Sequence, residues 1–146
     1  MVTPKECIAK YGSPMLPAFQ LENMEIYKAP DDICEYITVL PRRIYMNKAM
    51  IPFFEKALRD IYEKDFDGDI HEWGGCFSIR MMRGVKPPTP SIHSWGIAFD
   101  INETAYPQGK RIKTIPGYVK CFIDNGFDWG NNFPIPDPMH FQLSII

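Results

Sequence analysis

Hydrophobic positions keep a helical period over two stretches of this chain. Met50, Ile51, Phe54, Ala57, Leu58, Ile61 and Tyr62 recur every three to four residues, with Glu55, Lys56, Arg59, Asp60 and Glu63 between them. That spacing predicts a helix over Asn47–Lys64, with Asn47 as N-cap. Pro52 is tolerated only in the first turn, so the start can slip a residue or two later. Thr114–Gly126 reads as a second helix, opened by Thr114 or Ile115 with Pro116 in its first turn, stopped by Gly126, and apolar along Val119, Phe122 and Ile123. A shorter helix starts at Thr3-Pro4-Lys5-Glu6, where Thr3 and Glu6 form a capping box, and stops at Gly12.

Elsewhere the pattern is extended or broken. Ile70–Met82 reads as a strand, with Gly74-Gly75 as a bulge or a close backbone approach. In residues 14–46, Pro14, Pro17, Pro30 and Pro41 interrupt every period, leaving short extended pieces around Ala18–Gln20, Met24–Tyr27 and Tyr36–Leu40. Asp65–Asp69 and Phe127–Gly130 read as turns, and Pro87–Pro90 as a stiff linker. After Gly96, strict alternation puts Ala98 and Asp100 on one face and Ile97, Phe99 and Ile101 on the other. A last strand is expected over Met139–Ile145. Helices grouped apart from short hairpin-like strands predict an α+β fold with a small antiparallel sheet flanked by helices.

Composition narrows the class. The chain of 146 residues suits a single domain, 1–146. A net charge of −2 gives no electrostatic footprint for nucleic acid or for a polybasic membrane contact. No apolar run is long enough to span a bilayer, and residues 1–10 have no signal-peptide core, so synthesis in a cytoplasm is expected. Cys7, Cys34, Cys76 and Cys121 form no CxxC pair and are expected to be reduced and mostly buried.

The chemistry gathers in two runs, Ser91–Asn102 and Asp137–Leu143. Zinc takes imidazole nitrogen and carboxylate oxygen at about 2 Å. Along a straight strand His93 and Asp100 would stand roughly 23 Å apart, at about 3.3 Å per residue. They can share an ion only if the chain folds back, which Gly96 permits. His140 lies on the opposite face of its strand from Phe141, so burying the phenylalanine turns the histidine the other way. A His-Asp-His set leaves one tetrahedral position for water, the mark of a catalytic rather than a structural zinc site. Asp137, just before Pro138, can approach from outside the ligand set and take a proton from that water. Arg80 or Arg83 can stabilise the resulting oxyanion.

Ser91-x-His93-x-x-Gly96-x-Ala98-x-Asp100, followed by Asp137-x-x-His140, resembles the zinc D-alanyl-D-alanine carboxypeptidase and L-alanyl-D-glutamate endopeptidase family. Its members cut the peptide part of bacterial peptidoglycan and include bacteriophage endolysins. The resemblance covers roughly Gly75 to Leu143. It implies a zinc D,D-peptidase (Hedgehog-like) fold, with His93, Asp100 and His140 as zinc ligands, Asp137 as catalytic base and Arg80, ahead of Arg83, as the strand arginine. The implied function is a zinc-dependent peptidoglycan peptidase, most simply an endopeptidase endolysin made without a signal peptide in the host cytoplasm. It would act on the wall after release, as a monomer and without membrane insertion. Longer family members carry a wall-binding module, so targeting here would fall to the catalytic domain itself or to a partner.

Two other functions stay open on the residues alone. One is a D,D-carboxypeptidase trimming terminal D-alanine. The other is a non-catalytic zinc- or wall-binding module on the same fold, for which Asp137 would have no use. His71 lacks the second histidine of an HExxH helix and is expected at the surface. Trp73, Trp95 and Trp129 suit a core or a groove, with Trp95 favoured for the groove. Asn102 and Gln142 are candidates to steady ligands by hydrogen bonds.

Overall fold

The computed structural model describes residues 1–146. Helix α1 is Pro4–Tyr11. Its capping box is formed: Thr3 Oγ1 accepts from the Glu6 amide at 3.3 Å, and the Glu6 carboxylate accepts from the Thr3 amide at 2.8 Å. Gly12, at φ 77°, ends it. Then come α2 (Pro17–Asn23), β1 (Met24–Lys28), α3 (Asp31–Tyr36), β2 (Arg43–Asn47) and α4 (Ile51–Lys64). Strand β3 (Trp73–Gly75) is followed after a long loop by a 3₁₀ turn (Ile92–Trp95) and β4 (Ala98–Ile101). Helix α5 (Gly117–Asp124), β5 (Phe127–Trp129) and β6 (His140–Leu143) complete the fold.

The strands form two antiparallel sheets, as the α+β expectation requires. β1 and β2 make a hairpin that pairs Met24 with Asn47 and Lys28 with Arg43. The larger sheet has the order β3-β4-β6-β5. In its centre Phe99 pairs with Phe141 and Asp100 with His140. Phe99 and Phe141 stack at 5.3 Å, and Phe54 of α4 and Phe122 of α5 close over Phe99 at 5.0 and 4.9 Å. This aromatic layer is the middle of one contiguous apolar core running from Val2 to Leu143. Burying each such ring is worth about 1.5–3 kcal/mol, so the sheet face carrying Phe99 and Phe141 is held firmly inward. No helix is long and apolar enough to cross a membrane. All four cysteines are free and buried.

Several elements differ from the sequence pattern. Ala18–Gln20 is helical, because Pro17 starts α2 rather than breaking it. Tyr36–Leu40 holds the end of α3 and a turn, while the strand lies at Arg43–Asn47. Asn47 therefore belongs to β2, and α4 begins at Ile51. The strand expected over Ile70–Met82 is only Trp73–Gly75. Its pairing with β4 is irregular at the glycines, and Gly75 sits at φ 113°, where the chain turns off the sheet. Gly74 makes the close approach: a Cβ there would stand 2.9 Å from the Asp100 Cβ. Pro116 caps α5 instead of sitting inside it, and Tyr118 and Cys121 are buried with Val119 and Phe122 while Ile123 stays exposed. Phe127–Trp129 is a strand rather than a turn, with Phe127 and Trp129 buried on either side of half-exposed Asp128.

Candidate metal centre

The pairing of β4 with β6 sets the site. With Phe99 and Phe141 committed to the core, period-two alternation sends their neighbours Asp100 and His140 to the other face, directly opposite one another. The third group arrives from the 3₁₀ turn. Gly96, at φ 65°, reverses the chain between His93 and β4. Any side chain there would strike the Met24 thioether and the Asn47 amide. The turn is also tied from outside: the Asn47 amide donates to the Gly96 carbonyl at 2.9 Å, and Asn47 Nδ2 to the Trp95 carbonyl at 3.1 Å.

Three donor atoms converge. His93 Nε2 lies 3.1 Å from His140 Nδ1 and 3.2 Å from Asp100 Oδ1, and His140 Nδ1 lies 3.3 Å from Asp100 Oδ1. Bonds of about 2 Å at tetrahedral angles place donor atoms about 3.3 Å apart, so these three occupy one face of a zinc-sized tetrahedron and leave the fourth corner open. The ring tautomers agree. A carbonyl can only accept, so the Cys76 oxygen, 2.7 Å from His93 Nδ1, puts the proton on that nitrogen and leaves the Nε2 lone pair facing inward. The Gln142 amide oxygen does the same at His140 Nε2, at 3.1 Å, leaving Nδ1 inward. In those tautomers neither ring donates to Asp100 Oδ1, and this buried oxygen has no hydrogen-bond partner. Two lone pairs and a carboxylate oxygen facing one another repel unless a cation stands between them. The residues therefore fit a divalent metal of the zinc type.

The charges agree with that geometry. Burial alone would push the Asp100 carboxyl up, but the His140 and His93 imidazoles hold it well below the ordinary carboxylate range. Burial opposes a charge on His140, yet Asp100 raises it above the ordinary imidazole value. A proton thus competes with a cation for the same lone pairs.

Asp137 stands beside this triad. Its amide donates to the Gly130 carbonyl at 2.8 Å, and its own carbonyl accepts from the His140 amide at 3.0 Å, locking carboxylate and ligand into one turn. Trp129 Nε1 donates to the Pro138 carbonyl at 2.7 Å and holds the turn from below. Gly130 is required, since a Cβ would overlap the Asp137 carbonyl oxygen. Burial raises the Asp137 carboxyl; the charges that act on it come from His140, Asp100, His93 and Arg80. Its Oδ1 is buried without a hydrogen-bond partner. Arg80 is exposed and its backbone is fixed: its amide donates to Ser94 Oγ at 3.1 Å and its carbonyl accepts from the Ser91 amide at 2.8 Å.

Residues 85–143 match the family model of the D-alanyl-D-alanine carboxypeptidases. The match supports the zinc peptidase family read from the two motifs and contains His93, Asp100, Asp137 and His140, while Arg80 and everything before it lie outside. No match was found among curated proteins or among solved structures.

The structure brings His93, Asp100 and His140 together and holds Asp137 in the turn that carries His140, while the Arg80 side chain is exposed. Other expectations are corrected. Trp95 lines no groove: it is fully buried, with its N–H given to the Gly12 carbonyl at 2.9 Å. Asn102 holds no ligand; its side chain ties the His71 and Glu72 amides to the Asp69 carbonyl. Gln142 does steady His140, and His71 is exposed. The Cys76 carbonyl and Gly130 were not legible as parts of the site, because each serves it through backbone atoms that leave no residue pattern, and Asn47 was not, because its side chain reads as a helix cap. A surface pocket lies elsewhere, between the chain ends, lined by Val2, Glu6, Lys10 and Ile145.

Proposed function

We propose that this chain is a zinc-dependent peptidase of bacterial peptidoglycan, cutting a peptide bond in the stem peptides as an L-alanyl-D-glutamate-type endopeptidase of endolysin kind. The observation that carries the reading is the convergence of three donor atoms at 3.1–3.3 Å, with both ring tautomers fixed from outside. We take residues 1–146 as one catalytic domain of the zinc D,D-peptidase (Hedgehog-like) fold, acting as a monomer on the wall; the single contiguous core supports that view.

In this reading His93 Nε2, Asp100 Oδ1 and His140 Nδ1 hold the metal. When bound, zinc would supply Lewis acidity toward a water and a peptide carbonyl. Asp137, raised by burial and held in the same turn as His140, would accept the proton of the attacking water and return it to the leaving amine. Arg80 offsets the negative charge that develops on the carbonyl oxygen. A carboxylate locked into the turn that carries His140 favours catalysis over a binding module, which has no use for a base.

The matched family's description favours a second reading, removal of terminal D-alanine. One experiment separates the two: mass spectrometry of fragments released from purified peptidoglycan, with chelator and with zinc restored. Chelator-sensitive release of stem peptides with new internal N-termini is expected. Loss of D-alanine alone would establish the carboxypeptidase, and stoichiometric zinc binding without any cleavage would remove the enzyme reading for this substrate. Asp137→Asn should keep zinc and lose about 10²–10⁴-fold in turnover; undiminished turnover would dismiss Asp137 as the base.

A further inference from the structure

Helix α1 contributes no donor to the metal centre and lies outside the family-matched segment. Yet each of its ends is fastened to one of the two histidine-bearing segments. Just before the helix, the Val2 carbonyl accepts from Gln142 Nε2 at 2.9 Å. Just after it, the Gly12 carbonyl accepts from Trp95 Nε1 at 2.9 Å. Gln142 is two residues beyond His140, and Trp95 is two residues beyond His93 in the same 3₁₀ turn. Both donors are buried, so water cannot replace either contact cheaply.

The Val2 contact reaches the metal-facing atom through a chain of proton positions. The Val2 carbonyl can only accept, so the Gln142 amide must turn its NH₂ toward it. That leaves the amide oxygen facing His140 Nε2, 3.1 Å away. The oxygen fixes the proton on Nε2 and the lone pair on Nδ1, which is the atom facing Asp100 and His93. Turning the amide over would set oxygen against oxygen at Val2 and donor against donor at His140. The helix between the fastenings is stiff for its length: eight residues, a complete capping box, a positive-φ glycine at its end and Cys7 fully buried beneath it. It spans roughly 12 Å at about 1.5 Å per residue, so it sets a fixed distance between its two fastenings.

We infer that α1 is a brace for the metal centre, with Gln142 and Trp95 as positioning residues that transmit its hold to His140 and His93. This rests on the reading of His93, Asp100 and His140 as a metal site. Coupling of this kind is reciprocal, so metal bound at the triad must in turn steady a helix that does not touch it.

The test is hydrogen exchange on the full chain with and without zinc, joined to zinc affinity by chelator competition. Amides of α1 should exchange more slowly with zinc, and by a larger factor than those of α3, which has no such fastening. Gln142→Leu should weaken zinc about ten- to a hundredfold. Trp95→Phe, which removes the N–H together with part of a buried ring, should weaken it by up to about tenfold in the folded variant. If wild-type protein binds zinc while α1 exchange is unchanged, or changes no more than α3, the brace is overturned and the metal site stands. Zinc affinity in Gln142→Leu equal to wild type overturns it as well, and needs only that this variant fold. If wild-type protein binds no divalent metal, both readings fall together.

Discussion

Up to Lys64 the chain buries apolar side chains and keeps its charges in water; from Ser91 onward it buries polar ones among the apolar. Ten polar side chains are buried, and only Asn47 precedes Ser91. Even Asn47 serves the later region, since it holds the turn between His93 and β4. Burying a polar group costs free energy unless it finds a partner, so such groups accumulate only where something other than stability requires them. In the first region Asp32 meets Arg59 in the open and Phe54 does the holding. In the second, Asp100 is buried and Asp137 half-buried, each with an enclosed carboxylate oxygen. One region is built to be stable and the other to hold charge in a fixed arrangement.

The largest effect expected from that division is at the ligands. His93→Ala or His140→Ala should abolish both zinc binding and peptidase activity. The readout is thermal unfolding with and without zinc: wild type should gain stability by mass action, and the variants should show no response. A zinc-dependent rise in either variant would mean the metal is held elsewhere. The converse change is Phe54→Ala. Phe54 touches Tyr27, Trp73, Phe99 and Phe122 and is fully buried, so its loss should cost about 3–5 kcal/mol in denaturant unfolding. Zinc affinity of the folded variant should stay near wild type. A large fall in affinity would erase the line between the two regions.

The same division explains what could be read from the residues. The cluster of His93, Asp100 and His140 could be picked out because coordination would demand particular side chains, and the small Gly96 and Ala98 leave their own trace. The alternation through Phe99 and Phe141 fixed which way Asp100 and His140 must face. Asp137 was legible through its spacing to His140. The pair of β1 and β2 was only half visible: Met24–Tyr27 could be picked out as an extended piece, but Asn47 looks like a helix cap and drew the reading of β2 away. Pro17 and Pro30 looked like interruptions and are in fact helix starts. What escaped altogether were contacts made by backbone atoms, such as the Cys76 carbonyl on His93 and the Val2 carbonyl on Gln142. Any residue type can supply a carbonyl, so no pattern marks them.

A smaller effect is expected from pH. His140 is raised by its Asp100 neighbour, so in the metal-free protein its proton persists to higher pH than on an ordinary imidazole, about 6.5. The proton occupies a lone pair that the metal needs, so zinc binding must release it, and affinity should rise with pH. The rise should continue above about 6.5, where a free imidazole would already have lost its proton. Chelator competition at several pH values checks this, together with direct measurement of protons released on binding. Affinity that levels off below that pH would mean Asp100 does not hold the His140 proton.

The smallest effect is expected at Asp32. Arg59 Nη1 approaches its Oδ2 at 2.6 Å, and the Arg59 hydrogen bond holds the Asp32 carboxyl below its ordinary value. By distance alone this pair is closer than any contact in the metal site. Both partners are open to water, however, which replaces the lost contact and screens the charge. Asp32→Ala should therefore leave unfolding midpoint, zinc affinity and activity within error of wild type, and added salt should not widen the difference. Asp100→Ala alters the same side chain where it is buried among the candidate ligands, and should remove zinc binding entirely. If Asp32→Ala proved as damaging as Asp100→Ala, burial would not be what separates a structural carboxylate from a functional one here, and the contrast between the two regions would fail at its base.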